Sequence, residues 1–522
     1  MEENRFDAIV IGSGIGGLTT AALLSRVGKK KVLVLEQHWE VGGLTHEFKR
    51  KGKYHWDVGI HYIGKMPDDS LPMKVLRFIS GNQLIWNQMP HEFDHLHFPD
   101  LKFSIPSDEV EFKKKLIDMF PEEKAGILKY FKDLKKANKW YLFNLVGKML
   151  PSPLAFFLNL WNQMYENLAL TTTGDYLNAN LHDQKLKAIL TGQWGDYGLT
   201  PESSSFLIHS IIATHYLQGA VFPDGGAGKI AESIEPAITE NGGKIILSAE
   251  VTDLILENGK LQGVEAQHKR GEKKKEKYFA PIVISSTGAK HTYGKLLKDS
   301  VSQSYFRELE SLKSGKSAVT LYLGLKENPE KLGFKGENHW IYKSFNHDES
   351  ITEQEEKLLK GKPTSCFLSF PSLKNTQASG HTAEIISFAN FQLFQNWEET
   401  KWKKRGEEYD NLKEIISEGL LNLVEETFPG FRDLVDYKEL STPLTYKDLA
   451  GRSDGEFYNL AATPERFRIK ILDTKTPLDN FYLTGTDVSS LGFVGALMGG
   501  VLTTSRILNP SGFLKIMKHL SK

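Results

Sequence analysis

Residues 7–17 read Asp-Ala-Ile-Val-Ile-Gly-Ser-Gly-Ile-Gly-Gly, and a second apolar run, Lys31-Val32-Leu33-Val34-Leu35, ends at Glu36. A short apolar strand thus feeds Gly12-x-Gly14-x-x-Gly17, a helix follows, and a second strand closes on an acid. That order is the fingerprint of a dinucleotide-binding βαβ unit. The glycines permit a tight turn, close approach of backbone to a pyrophosphate, and close packing of helix on strand. The helix N-terminus offers unpaired N–H groups and partial positive charge to the phosphates. Gly12, Gly14, Ile15, Gly16 and Gly17 are the expected pyrophosphate cradle, and Glu36 with Gln37 the expected ribose contacts.

At 522 residues the chain is too long for one ordinary core, so two or more domains are expected. Lys plus Arg and Asp plus Glu balance at 65 each, which gives no reason to expect a nucleic-acid partner. The local basic run Lys269-Arg270-x-x-Lys273-Lys274-Lys275 reads as a solvated hairpin loop. Cys366 is the single cysteine, which excludes an internal disulfide and a CxxC pair. The first apolar run starts at Ala8 and passes straight into the glycines, unlike a secretory leader. A reducing, cytoplasmic setting is the expectation. His91, His95 and His97 come close to metal-ligand spacing, with His95 and His97 on one face of a strand. An edge strand with polar residues toward water is the expectation there, and no metal site.

Residues 66–220 are rich in aromatics and amphipathic helical patterns, among them 109–119 and 125–138. A helix is expected near 229–241, ended by Gly242-Gly243. Alternating strands follow over 244–268, with Asn258-Gly259 as a hairpin turn, and one further buried strand is expected over 278–286. Strands at 318–325, 365–370 and 383–389 precede a helix at 409–426. A last strand is expected over 480–487, and a Gly-rich helix from Leu491 to about Leu508. The expected class is α/β with α+β insertions. A discontinuous Rossmann-type domain (1–65, 220–298 and 476–522) carries the cofactor, and a mixed-sheet and helical domain (66–219 and 299–475) takes the substrate. Only one fingerprint occurs, so a nicotinamide would have to dock without its own.

Beyond Glu36 the chain reads Gln-His-Trp-Glu-Val-Gly42-Gly43-Leu44-Thr45-His46-Glu-Phe48, and later Thr484-Gly485-x-Asp487. The acid followed six residues on by Gly-Gly suits a long adenine dinucleotide. Asp487 can accept from ribityl hydroxyls, and the helix near Val494 can aim its N-terminus at a flavin pyrimidine edge. Together with Asp57-x-Gly59-Ile60-His61-Tyr62-Ile63-Gly64, Thr442-Pro443-Leu444-Thr445, Gly455-x-x-Tyr458 and Gly492-x-Val494-Gly495-Ala496-Leu497-x-Gly499, this pattern resembles a flavoprotein family. It is the branch of retinol saturases (13,14-reductases) and carotenoid isomerases, related to phytoene desaturases. The resemblance covers both ends strongly, about a third of the chain, and the middle weakly. It implies non-covalent FAD, an apolar isoprenoid, carotenoid or retinoid-like lipid, and saturation or desaturation of a carbon–carbon double bond. It also implies cofactor contacts at Gly42, Gly43, Leu44, Thr45, His46, Gly59, Ile60, Val251, Thr287, Gly288, Gly485, Asp487 and Val494. Phytoene desaturases commonly carry an arginine just after Gly-Gly. Leu44-Thr45-His46 stands there instead, which argues against that chemistry.

Saturating an alkene needs a hydride and a proton, and no paired carboxylates or triad. His61 and Tyr62 are the candidate catalytic residues, as proton donors. Asp57 reads as a structural acid and Tyr458 as a pocket wall. NADPH or NADH is a candidate transient reductant, and a separate electron-donor protein or a quinone the alternative. The aromatic stretch 140–161, broken by Lys148, Pro151 and Pro153, does not span a bilayer. Two short segments there, within 140–165, would lie at a membrane interface or frame a lipid entrance, or else pack as a buried helical pair. Competing functions are a redox-neutral cis–trans isomerase using reduced FAD, an amine oxidase, and a flavin-loaded lipid-binding protein without turnover.

Overall fold

The computed structural model describes residues 4–149, 152–270 and 273–521. Five parallel strands form the first layer, in the order 244–246, 32–35, 8–11, 283–285, 481–483. The strands at 8–11, 32–35 and 283–285 are buried at every residue, because helices cover this sheet. Helices Ile15–Arg26, Gly228–Thr239 and Gly492–Ile507 pack against one another here. Their contact is apolar (Leu18, Ala22, Ile230, Ile234, Leu497, Val501), and glycine where they come closest. A Cβ on Gly16 would sit 2.5 Å from Gly485 Cα, and one on Gly17 would sit 2.3 Å from Gly12 O. Gly12 itself turns at φ +93°, which L side chains rarely adopt.

The strands Ala249–Glu257, Lys260–His268 and Lys275–Phe279 form an antiparallel sheet beside it. Asn258 (φ 51°) and Gly259 (φ 74°) make the expected hairpin turn. The single strand expected over 278–286 is two strands in different sheets. Pro281 lies between Lys275–Phe279 and Val283–Ser285 and brings no N–H to a ladder. The strand expected over 480–487 is only Phe481–Leu483, because Gly485 at φ +93° turns the chain into a short 3₁₀ segment, Thr486–Val488.

The second large sheet has seven strands, in the order 435–441, 317–325, 381–389, 365–369, 338–342, 92–98, 101–106. All neighbours are antiparallel except Asn338–Tyr342 against Glu92–Phe98. That parallel pair splices a hairpin from the first insertion onto a sheet made by the second. The strand carrying His95 and His97 is therefore internal, not the expected edge strand. Its alternation is fooled by histidines that face a partner strand rather than water.

The helix patterns at 109–119 and 409–426 appear as Glu109–Met119 and Glu407–Thr427. The one at 125–138 is part of a longer helix, Lys124–Met149, which pairs with Ser152–Ala169. These are 26 and 18 residues long, not two short segments, with Pro153 in the first turn of the second, where its missing N–H costs nothing. Within 140–165, residues 150–151 lie outside the described residues, as do 271–272 of the basic loop. Among the described residues, no helix is long and apolar enough to cross a membrane.

Candidate active site

A cavity of about 1380 Å³ opens between the two large sheets. It exceeds an ordinary small-molecule pocket of about 300–1,000 Å³, leaving room for a dinucleotide and a second ligand. Its floor is the strand–turn–helix at the N-terminus: Gly12, Gly14, Ile15 and Gly16 line it. The helix begins at Gly14 with no side chain capping it, so its first-turn N–H groups are left for an anion. Glu36, at the end of its strand, is held by Ser13: both the Ser13 N–H (2.8 Å) and Oγ–H (2.7 Å) donate to its Oε2. The His38 N–H donates to its Oε1 at 2.8 Å. This fixes the carboxylate at the cavity wall with lone pairs still free.

Gln37, Gly42, Gly43, Leu44, Thr45, His46, Gly59, Ile60, Val251, Thr287 and Gly485 also line the cavity. Residues more than 400 positions apart in sequence thus share one wall, and the donor set suits a dinucleotide cofactor. Gly17, Gly288, Asp487 and Val494 do not line it. Gly17 serves packing instead. Asp487 Oδ2 accepts from the Ala289 N–H at 2.7 Å, and its Oδ1 lies 3.6 Å from Arg466. Val494 packs on the neighbouring apolar core, while Gly492, Phe493 and Ala496 of the same helix face the cavity.

The opposite wall comes from the second sheet and its connections, with Tyr322, Leu440, Tyr446, Phe457 and Tyr458. The mouth carries Trp39, Trp402, Lys403, Arg405 and Lys413. Arg270 reaches the mouth too, its guanidinium 4.2 Å from the Trp39 ring centroid, so the basic loop is not merely solvated. Burial pushes the Tyr446 hydroxyl up to about 12 and Tyr458 upward as well, so both are neutral O–H groups at ordinary pH. Of this wall, only Tyr458 was marked by a motif. The interleaved Lys401-Trp402-Lys403-Lys404-Arg405 was a signal that sequence reasoning passed over.

His61 and Tyr62 are not among the lining residues; they lie just behind Ile60. His61 Nδ1 sits 2.6 Å from the buried Glu384 carboxylate. The His61 carbonyl accepts from Lys374 Nζ at 2.7 Å, and that ammonium, fully enclosed, also donates to Asn338 Oδ1 and Ser369 Oγ. Burial lowers Lys374 to about 8. Tyr62 stacks on Tyr216 and lies 2.9 Å from Asp94 Oδ2 and 2.7 Å from Asp196 Oδ2. A phenol has one proton, so one of these contacts needs a protonated carboxyl. Burial and the Asp94 charge hold Asp196 well above the usual carboxylate range, whereas Asp94 also accepts from Asn338, Gln193 and Trp340. Burial also raises Asp94, to about 6, and one carboxyl of the Asp196–Tyr62–Asp94 chain carries the proton that its two short contacts need. Asp57, also buried, accepts from the Ala227 N–H at 2.8 Å and so caps the start of helix Gly228–Thr239.

Sheet, helices and cavity define the class: a dinucleotide-binding protein of two-sheet oxidoreductase architecture. A putrescine oxidase double variant has the same fold, with TM-score 0.61 and 14% identity over 99% of each chain. The all-trans-retinol 13,14-reductase of Danio rerio is 34% identical over 533 residues, covering 96% of this chain and 86% of its own. The chain belongs to the all-trans-retinol 13,14-reductase family and is an oxidoreductase. Residues 10–77 match the model of an NAD(P)-binding Rossmann-like domain. A prolycopene isomerase of an Oncidium hybrid cultivar is more distant, 25% identical over 98% of this chain and 86% of its own.

Proposed function

We propose that this protein reduces a carbon–carbon double bond of a retinoid or closely similar apolar polyene, with FAD as its non-covalent cofactor. One observation carries the reading: the dinucleotide cradle and an aromatic wall from the second sheet share a single cavity, in a chain with full-length similarity to a retinol reductase. The turn at Gly12–Gly16 and the Ile15–Arg26 helix would hold the pyrophosphate, Glu36 the ribose, and Gly42–His46, Gly59, Ile60 and Gly485 the rest of the group. Once bound and reduced, FAD would supply the hydride that one alkene carbon needs. Tyr322, Tyr446, Phe457 and Tyr458 exclude water and lay a polyene along the wall, within the roughly 3–3.5 Å that such a transfer needs. The Tyr458 hydroxyl is the cavity-side group to hold a proton near the second carbon. His61 and Tyr62, one layer back, keep Ile60 and its backbone in place through Glu384, Lys374 and the Asp196–Tyr62–Asp94 chain.

The division into a cofactor domain (1–65, 220–298, 476–522) and a substrate domain (66–219, 299–475) fits this reading. So does a peripheral membrane contact at helix Ser152–Ala169, which leaves Phe156, Phe157, Trp161 and Met164 each more than 60% exposed. Such a face suits shallow insertion among lipid headgroups, from which an apolar substrate must be drawn. The reductant that recharges the cofactor is a nicotinamide, a donor protein or a quinone.

The test is anaerobic incubation of FAD-loaded, dithionite-reduced protein with all-trans-retinol, read by mass spectrometry. A product heavier by two hydrogens is expected. Unchanged mass with altered retention would favour the isomerase reading, for which the prolycopene isomerase relatives speak. Recovery of intact retinol alone would overturn both.

A further inference from the structure

We propose that His95, His97 and His339 form a binding site for a divalent transition-metal ion, Zn²⁺ by ligand type, that staples the two inserted blocks of the chain together. His95 and His97 project from one face of strand Glu92–Phe98, and His339 from strand Asn338–Tyr342, where it stands in register with His95. One ligand nitrogen from each lies within 4.8 Å of the other two. His97 Nε2 and His339 Nδ1 are 3.1 Å apart. Two nitrogens on one tetrahedral Zn²⁺, with bonds of about 2.0–2.1 Å, are separated by about 3.3 Å. That pair, within hydrogen-bond distance, is also near ligand spacing, and the His95 nitrogen, within 4.8 Å, would have to close in to complete a three-histidine set.

The polar groups here are otherwise badly served. His339 is buried, and its Nε2 has no hydrogen-bond partner, nor has the buried His95 Nδ1. A lone cluster of neutral imidazoles leaves such nitrogens a standing cost. A metal on one nitrogen of each ring would leave the other as an N–H donor, with a carboxylate near the His339 and His95 rings to receive it. Glu337 Oε1 lies 3.6 Å from His339 Nε2 and Glu92 Oε2 lies 3.9 Å from His95 Nε2, beyond hydrogen-bond distance but near enough to close on the rings and orient them once a metal is bound. Two cations oppose binding: Lys102, which pairs with His97 across the hairpin, and Lys115, which bears on His95. The location gives the ion a task. It bridges the only parallel strand pair of the seven-stranded sheet, where a hairpin from the first insertion joins strands of the second.

The test uses the full chain, purified without an affinity tag and stripped with EDTA. Zn²⁺ binding is measured by calorimetry, and Co²⁺ serves as a spectroscopic probe of coordination. One ion per chain is expected, with a tetrahedral Co²⁺ spectrum and a rise in Tm on adding Zn²⁺. His97→Gln should weaken binding by at least about 100-fold and abolish the Tm response. His91→Gln, an exposed neighbour outside the cluster, should change neither. Should His339→Gln fail to fold, His95→Gln and His97→Gln, on half-buried rings, decide the matter. No saturable Zn²⁺ binding by the wild-type chain, or affinity unchanged in both of those variants, overturns the site.

Discussion

The parallel five-stranded sheet and the seven-stranded sheet face each other across one cavity but are held together by different means. Behind the first, the packed side chains are mostly Ala, Val, Ile and Leu, with Met66, Met73, Met498 and Phe493 among them, and Gly16, Gly17, Gly499 and Gly500 stand where backbones nearly touch. Inside and beside the second, ionisable groups are enclosed: Asp94, Asp196, Lys374, Glu384, His209, His339 and His347. The first is rigid because nothing larger fits. The second is specific because its buried polar groups meet particular partners, as Lys374 meets Asn338 and Ser369 and His61 meets Glu384. Substitutions should therefore fail sterically in one and electrostatically in the other.

The largest effect on the cofactor is expected from Gly16→Val. Its Cβ falls 2.5 Å from Gly485 Cα, on backbone that cannot yield. Bound flavin, read by absorbance after desalting, should drop by more than about 100-fold (about 3 kcal/mol). Retention of full flavin would break the steric account of this half.

Next comes Lys374→Met. It leaves Glu384 and Asp57 without their buried cation and Asn338 and Ser369 without a donor. A loss of about 3–5 kcal/mol in unfolding free energy is expected, measured by urea titration. A neutral result would mean that these carboxyls are already protonated together.

Acid is the next lever, and it reaches both halves, since burial also lowers His38 and His291 to about 4 beside the first sheet. Burial lowers His209 to about 3 and His347 to about 4, from the ordinary 6.5. The unfolded chain therefore takes up these protons first. The stability they contribute is complete above pH 6.5 and is lost as pH falls toward 4 and below, at about 1.4 kcal/mol per unit for each histidine. Urea midpoints at pH 7.5 and 5.0 check this, and His209→Gln should flatten the slope. Equal slopes in the two proteins would remove His209 from the comparison.

Tyr62→Phe, which interrupts the Asp196–Tyr62–Asp94 chain, should cost about 1–3 kcal/mol while leaving flavin content intact. The smallest effect, under about 1 kcal/mol, belongs to Lys185→Ala, whose partner Asp100 is exposed.

The same contrast explains what the sequence could and could not tell. The strand, turn, helix and acid of residues 8–36 are local, so their spacing alone locates the cradle, and Gly42–His46 extends it by direct continuation. Asp487 and Val494 show the limit of such reading. The motif finds their segment, but packing turns the Asp487 carboxylate toward Ala289 and Val494 toward the core. The second sheet carries almost no local record of its partners. Tyr62 meets Asp196 across 134 positions, and His61 meets Lys374 across 313. Histidines at 95 and 97 look like an exposed edge until the strand at 338–342 pairs beside them. Boundaries slipped for backbone reasons that leave small marks, Pro281 and Gly485.

The central claim is that the dinucleotide cradle and the aromatic wall serve one reaction. Its most direct measurement is a stopped-flow record of the reduced, FAD-loaded protein mixed anaerobically with all-trans-retinol. Return of the oxidised flavin absorbance, in step with retinol consumed and saturable in retinol, is the predicted result. A chain that takes up no FAD, or a reduced flavin that stays bleached while retinol persists, would contradict it.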